Sequence, residues 1–305
     1  MNSQFFIIDL LAQDGTLETL FKYSTFCSEI YSLKLNSESD DVVVSYSSIL
    51  NQLFINGILQ MGSYLSILRV KNHLILTNSN QKLRCINLEE NSLASLIHLL
   101  DEKNYKCDFD FDETFRLIEP GTRIVACVPN DSRIILMMPR GNLETIFPRA
   151  LVLDDLKQLM DRGLYSEAVE KMRRQRVNLN LLYDHSPQMF MDNLEKLVRD
   201  NAKNDRLVLF LSELSMEDVT ETMYKRFYNL SRRVKSNLNG FHKVNNICSA
   251  VAKLVENELN DDYLNLILTC YVKMCPSASD KALQLLRTFK GNQDLSLNHN
   301  LMISR

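Results

Sequence analysis

The sequence has no CxxC pair, no phosphate-binding glycine loop, no GxSxG elbow, no iron–sulfur cysteine spacing and no HExxH pair. Each is a short arrangement that a particular chemistry demands: thiolates or imidazoles spaced to share a metal, amides wrapped around a phosphate, a serine on a strained turn. Without them there is no anchor for metal, nucleotide or serine-hydrolase catalysis. The expectation is a protein that is not an enzyme and takes no cofactor and no metal. Cysteine is an odd set of seven, at positions 27, 85, 107, 127, 248, 270 and 275, a pattern that suits reduced thiols in a cytosolic or nuclear compartment. Cys270 and Cys275 are the closest pair, yet a spacing of five sets them on different faces of a helix, and they read as small apolar packing residues. The apolar run from Phe5 to Ala12 is broken by Asp9 and has no basic stretch before it, so it does not read as a secretion signal.

A strong basic balance is also missing. Formal net charge is -3, with 12 Lys/Arg against 18 Asp/Glu in residues 1–147 and 23 against 20 in the remainder. The first part is acidic and the second nearly balanced, so neither advertises phosphate-backbone binding by charge alone. Residues 42–68 carry no charge, which is long enough to test as a membrane span. Serine, asparagine, glutamine and glycine break the stretch into strand-length pieces, and it reads as successive β-strands.

What the sequence has is two different periodicities. Up to Phe147 apolar residues come in short runs separated by turn residues, the pattern of many antiparallel strands. Strands are predicted over Phe5–Leu11, Leu17–Tyr23, Ile30–Leu35, Val42–Tyr46, Leu53–Ile55, Ile58–Gln60, Tyr64–Val70, His73–Thr77, Lys82–Leu88, Thr114–Ile118, Arg123–Val128, Arg133–Met138 and Leu143–Phe147, with no long helix among them. Asp14 and Gly15 suit a hairpin turn. A propeller blade takes about 40 to 45 residues, so residues 1–147 read as the C-terminal blades of an incomplete, WD-like propeller.

From residue 148 to 305 the period becomes helical, with apolar residues three and four apart. Phe190, Leu194, Leu197 and Val198 form one such stripe; Val244, Ile247, Val251, Leu254 and Val255 form another, and Ala282, Leu285, Leu286 and Phe289 a third. Gly163 fits a helix end before a helix from Ser166. Ser186 and Pro187 fit a hydroxyl cap with proline in the first turn, and Ser215 with Asp218 resembles a capping box. The fold class is therefore mixed, β then α: a partial propeller followed by the N-terminal part of a TPR-like α-helical solenoid.

At the junction the residues become specific. MPRGNLE at 138–144 and RALVL at 149–153, followed by RVNLNLLYDHSP at 176–187, EDVTETMY at 217–224 and LILTCYVK at 266–273, resemble the largest, scaffold subunit of the Elongator complex over roughly Pro120 to Phe289. The resemblance implies the end of the second of two WD-repeat propellers leading into a long solenoid, in a subunit that supports modification of the wobble uridine of transfer RNA while another subunit performs the chemistry. It implies other Elongator subunits as partners, including the catalytic subunit and a WD-repeat subunit, with tRNA contacted indirectly by this segment and no membrane. It further implies that the family's first propeller, its dimerisation region and its basic RNA-binding stretch lie outside these residues. The location expected is the cytoplasm, and also the nucleus. Strand-then-helix order alone also suits a propeller-solenoid coat or tethering protein of membrane traffic, and the ordered motifs favour the first reading.

Five groups of residues need a functional and a plain reading side by side. Asp184 and His185, with Tyr183, suggest an acid–base pair, but neighbours in sequence seldom face one another, and a loop capping the next helix is the plainer account. Arg173, Arg174 and Arg176, near Lys171 and Arg149, are the densest basic group. Lys225, Arg226, Arg232, Arg233 and Lys235 form a second. Either suits phosphate, and either suits a solvated helix face paired with carboxylates such as Glu167 and Glu170. Pro139–Leu143 reads as a turn rather than a ligand loop. Arg149, Leu151 and Leu153 are the candidate junction residues, the leucines expected to bury against the last blade while Arg149 reaches a carboxylate or carbonyl.

Overall fold

The computed structural model describes residues 5–9, 18–23, 25–35, 41–60, 62–89, 91–100, 113–129, 131–201, 205–229, 240–256, 261–274 and 278–287. The chain forms two compact units that divide between Asp155 and Leu156.

The first unit is a series of open antiparallel sheets. β1 (Phe5–Asp9) pairs with β2 (Glu18–Tyr23), with a register shift between Ile7 and Ile8; the Asp14–Gly15 turn lies outside the described residues. Then β3 (Glu29–Leu33), β4 (Val42–Ser47), β5 (Gln52–Ile55) and β6 (Ile58–Leu59) form a meander in chain order. Ile55 and Ile58 face each other across Asn56 and Gly57, both at positive φ, which is the backbone a two-residue hairpin turn requires. The next sheet contains β7 (Tyr64–Val70), β8 (His73–Asn78), β9 (Lys82–Asn87) and, beyond a helix, β10 (Phe115–Leu117). β11 (Arg123–Cys127), β12 (Ile134–Met137) and β13 (Leu143–Ile146) make a three-stranded sheet. Among the described residues thirteen strands occupy the positions of the thirteen predicted. The uncharged stretch from Val42 to Leu68 is β4 to β7, and among the described residues no helix is long and apolar enough to cross a membrane.

The two-residue period of a strand explains the packing. β8 is buried along its whole length, and its alternate side chains serve two cores. Leu74 and Leu76 join Val44, Tyr46, Leu53 and Ile67 on one face, while Ile75 joins Leu83, Ile134, Leu136 and Ile146 on the other. A sheet covered on both faces is what a propeller blade experiences between its neighbours. Sheets are also stitched by polar groups: Ser66 Oγ hydrogen-bonds Thr77 Oγ1 at 2.7 Å and accepts the Ile124 amide at 2.8 Å.

One element was missed by the strand pattern. α1 (Leu93–Leu100) is inserted between β9 and β10, and buries Leu96 and Leu100. Its last carbonyls, orphaned at any helix end, are taken by Arg84, which donates to Leu99 O, and by Tyr64 Oη, which donates to Leu100 O at 2.8 Å. Those donors come from strands distant in sequence, so the helix is finished by tertiary contacts.

The change from strand to helix falls between Ile146 and Arg149, where α2 (Arg149–Asp161) begins. The compact units divide later, inside α2. The reason is local: Ala150 and Leu151 belong to the core formed with Ile134, Leu136 and Ile146, and Asp155 accepts hydrogen bonds from Lys71 Nζ and Ser132 Oγ, both at 2.6 Å.

The second unit continues with α3 (Tyr165–Gln175), α4 (Leu181–Asp184), α5 (Pro187–Asp200), α6 (Arg206–Glu213), α7 (Lys225–Asn229), α8 (Gly240–Val255), α9 (Asp261–Lys273) and a helical stretch at 279–287. Gly163 ends α2 at φ +71°, with its amide on Met160 O and that of Leu164 on Leu159 O, a closure glycine makes without strain. Phe190, Leu194, Leu197 and Val198 are all buried, and Phe190 meets the rings of Tyr165, Tyr183 and Phe210 at 5.6 to 5.7 Å. That aromatic centre anchors the start of the unit.

Three helix expectations are corrected. Pro187 does open α5, but the Ser186 hydroxyl makes no cap bond. Ser215 and Asp218 start no helix, and Asp218 Oδ1 instead accepts from the amide and hydroxyl of Thr220, closing a turn. In the stripe of α8, Val244, Ile247, Val251 and Val255 are buried while Leu254 is 37% exposed. In the last stripe Ala282 is buried, Leu286 is exposed and Phe289 lies outside the described residues.

Candidate functional site in the helical unit

Asp184 and His185 stand at the end of α4, a four-residue helix too short to hold itself, and both are buried. They face different partners, as adjacent helical residues must. Lys243 Nζ on α8 lies 2.7 Å from Asp184 Oδ1 and 2.9 Å from Oδ2. The second oxygen also accepts the Val219 amide at 2.9 Å, and Lys243 donates to Glu217 O at 3.0 Å. Burial raises the Asp184 carboxyl to about 6, because removal from water opposes its charge more strongly than Lys243 favours it. His185 Nε2 bonds Asp161 Oδ1 at 2.7 Å and its Nδ1 bonds Tyr228 Oη at 2.9 Å. Both ring nitrogens are occupied.

The same cluster holds the stretch that follows α6. Asn180 Oδ1 accepts the Ser215 amide at 2.9 Å and its Nδ2 donates to Glu213 O at 2.9 Å. Tyr224 Oη accepts the Asn178 amide at 3.0 Å, and Lys273 Nζ on α9 donates to Leu214 O at 3.0 Å. Residues 214–224 contain no helix longer than a turn, so their backbone groups need partners from elsewhere. Asn180 just before α4, Asp184 on α4, Lys243 on α8 and Lys273 on α9 supply them. Asn180, Tyr224, Lys243 and Lys273 were not singled out in the sequence; a lysine at an apolar helix position, as Lys243 is beside Val244 and Ile247, is the one signal that could have found part of the set.

The basic group is drawn together by one carboxylate. Glu170 Oε1 lies 2.6 Å from Arg174 Nε and 3.6 Å from Arg173, and its Oε2 lies 2.9 Å from Arg206. These guanidiniums, the Arg174 hydrogen bond foremost, hold the Glu170 carboxyl below its usual range. Arg173 and Arg174 remain largely exposed, and Arg176 is an exposed residue at φ +52° that ends α3. Lys225 and Arg226 lie on α7; Arg232, Arg233 and Lys235 lie outside the described residues. At the start of α2, Leu151 and Leu153 are both buried, Leu151 within the core of the first unit, and Arg149 is half-buried. Pro139–Asn142 forms the turn between β12 and β13, with Gly141 at φ +85° and Met138 N donating to Asn142 O at 2.9 Å. Among the described residues no group of three or more His, Cys, Asp or Glu is placed to hold a metal ion.

Comparison with known proteins bears on this order of elements. Residues 149–303 match the ELP1 alpha-solenoid model, and residues 7–125 match the ELP1 N-terminal second beta-propeller model. The chain belongs to the Elongator complex protein 1 family. It is 35% identical to Elongator complex protein 1 of Rattus norvegicus over 240 residues, 79% of this chain and 18% of the relative. It is 39% identical to that of Mus musculus over 180 residues, 59% of this chain and 13% of the relative. Against the Saccharomyces cerevisiae protein identity is 30% over 279 residues, 85% of this chain and 20% of the relative. The chain thus spans about a fifth of the length of the curated relatives it matches. In this Elongator family member the propeller match falls on the β-sheets and the solenoid match begins at Arg149, the first residue of α2. The coat or tethering reading, which rested on strand-then-helix order alone, is not favoured.

Proposed function

We propose that this segment is a non-catalytic scaffold within an Elongator assembly and supports modification of the transfer RNA wobble uridine by a different subunit. The observation that carries the reading is the internal use of the groups best suited to acid–base chemistry. Asp184 is paired with Lys243 and the Val219 amide, and His185 with Asp161 and Tyr228, so these groups hold backbone and helices together. Membership of the Elongator complex protein 1 family supports the assembly. The partners proposed are the other Elongator subunits, including the catalytic and WD-repeat subunits, with tRNA reached indirectly, in the cytoplasm and also the nucleus.

Arg149, Leu151 and Leu153 are the proposed junction residues. Burying a leucine contributes roughly 1.5 to 3 kcal/mol, and a carboxylate in its place adds a desolvation cost. In the full-length protein, Leu151→Asp with Leu153→Asp is expected to lower recovery of the other Elongator subunits and to reduce wobble-uridine modification, with Leu151→Ala giving a graded form of the same loss. Unchanged recovery and modification in the double variant would overturn the scaffold role of this junction.

A further inference from the structure

The three larger sheets do not end alike. Among the described residues, β3–β6 and β7–β10 each carry a fourth strand on the far side of the third, whereas β11–β13 stops at three. Each fourth strand is antiparallel to its third, with Phe54 facing Leu59 in one sheet and Leu83 facing Arg116 in the other. No described strand takes the corresponding place beside β13.

That edge is set up to pair. Met138 N donates to Asn142 O, and ladder bonds recur at every second residue of an antiparallel pair. Glu144 and Ile146 therefore turn their peptide groups to β12, while Leu143 and Thr145 turn theirs outward. On the face they share, Leu143 and its cross-strand neighbour Met137 are 64% and 42% exposed. Outward amides beside an uncovered apolar pair, in a strand with neither proline nor lysine, make an edge without the usual protection. We propose that the open edge of β13 receives a fourth, antiparallel strand supplied by the same polypeptide, from the part of the longer family protein that these residues do not include.

Two observations choose the source. The sister sheets take their fourth strands from their own chain, and β10 returns to β9 only after residues 88–114, so a fourth strand need not follow its third directly. Those fourth strands are two and three residues long. So few backbone bonds do not offset the freedom a separate molecule loses on binding, whereas a tethered segment meets the edge at high effective concentration. This chain spans about a fifth of the length of its family relatives, and the residues directly after β13 are committed to α2. The strand that fits is extended, bonds to the outward groups of Leu143 and Thr145, and lays an apolar side chain beside Leu143. Its pairing also steadies the start of α2, since Ile146 shares a core with Ala150 and Leu151.

The test uses the purified full-length protein without its partner subunits. Leu143→p-benzoylphenylalanine, at an exposed position, is irradiated and the linked peptides are mapped. The expected product runs as a single chain on a denaturing gel and links position 143 to a segment outside residues 1–305. In the unmodified protein the Leu143 and Thr145 amides should exchange about 100-fold more slowly than unstructured amides. Thr145→Pro removes an outward amide from an edge strand and spares the pairing with β12, so it should speed exchange at Leu143 and open the linked segment to protease. A link to a residue of 1–305, a link to another chain, or exchange of both amides at the unstructured rate overturns the proposal. Protection that appears only when other subunits are added overturns it too, and assigns the edge to a partner. Exchange in the unmodified protein decides the matter where a variant fails to fold.

Discussion

The β-sheet unit and the helical unit bury polar groups in different ways. In the sheets several buried polar side chains are hydroxyls that meet one another, as Tyr23 Oη meets Ser45 Oγ at 2.9 Å and Ser66 meets Thr77 at 2.7 Å. Strand backbones satisfy themselves in ladders, so little else is asked of side chains. In the helical unit a stretch without ladders, 214–224, is held by Asn180, Asp184, Lys243 and Lys273. Ionised groups enter the interior there because irregular backbone needs strong donors and acceptors. Two buried histidines show the same contrast: His185 is bonded at both nitrogens, whereas His73 on β8 has an Nδ1 with no partner and is pushed down to about 4 by burial.

The largest expected effect tests whether the helical unit depends on its charge pair. Lys243→Met strands the Asp184 carboxylate in the interior and should cost about 3 to 5 kcal/mol, while Asp184→Leu combined with Lys243→Met should recover much of that loss. Denaturant unfolding of the three proteins measures it, and a loss from Lys243→Met below about 1 kcal/mol would remove the distinction between the units. On the sheet side, Leu76→Ala opens a cavity in an apolar core and should cost about 2 to 5 kcal/mol, with no compensating partner substitution available. If a second substitution beside it restored stability as the double variant does for the charge pair, the two cores would be alike after all.

Acid should move the two units in opposite directions. The His73 value in the fold lies below the usual histidine value, so the unfolded chain binds more protons between about pH 6.5 and 4, and the sheet unit loses stability as pH falls through that window. Asp184 lies above its usual value, so the fold binds more protons between about pH 4 and 6, and the helical unit recovers stability over the same descent. Each change from pH 7 to 5 is on the order of 1 to 2 kcal/mol. Hydrogen exchange followed separately in β8 and in α8 reads both, and His73→Phe and Asp184→Asn should each flatten the response of their own unit alone.

The smallest effect belongs to the surface. Arg173→Glu with Arg174→Glu removes exposed partners of Glu170, and each change should shift stability by no more than about 0.5 kcal/mol. Subunit recovery in the full-length protein should be unchanged, and a fall in recovery would mark this face as a contact surface instead of a solvated one.

The thirteen strands and the buried stripe of α5 were legible in the sequence because both follow from periodicity, which burial imposes on neighbouring positions along the chain. The change of period near Phe147 and the ordered motifs from MPRGNLE to LILTCYVK likewise need nothing beyond residue order. What the sequence left open was decided by groups far apart in the chain. α1 hides among strands because its C-terminal end is closed by Tyr64 and Arg84. The capping box expected at Ser215 became a turn because Asn180 and Asp184 had already claimed the neighbouring amides. Asp184 and His185, adjacent in the chain, turn to different partners, Lys243 for the first and Asp161 and Tyr228 for the second. Hydrophobic pattern is a property of local order; the pairing of buried polar groups depends on which distant segments meet, and only the folded chain decides that.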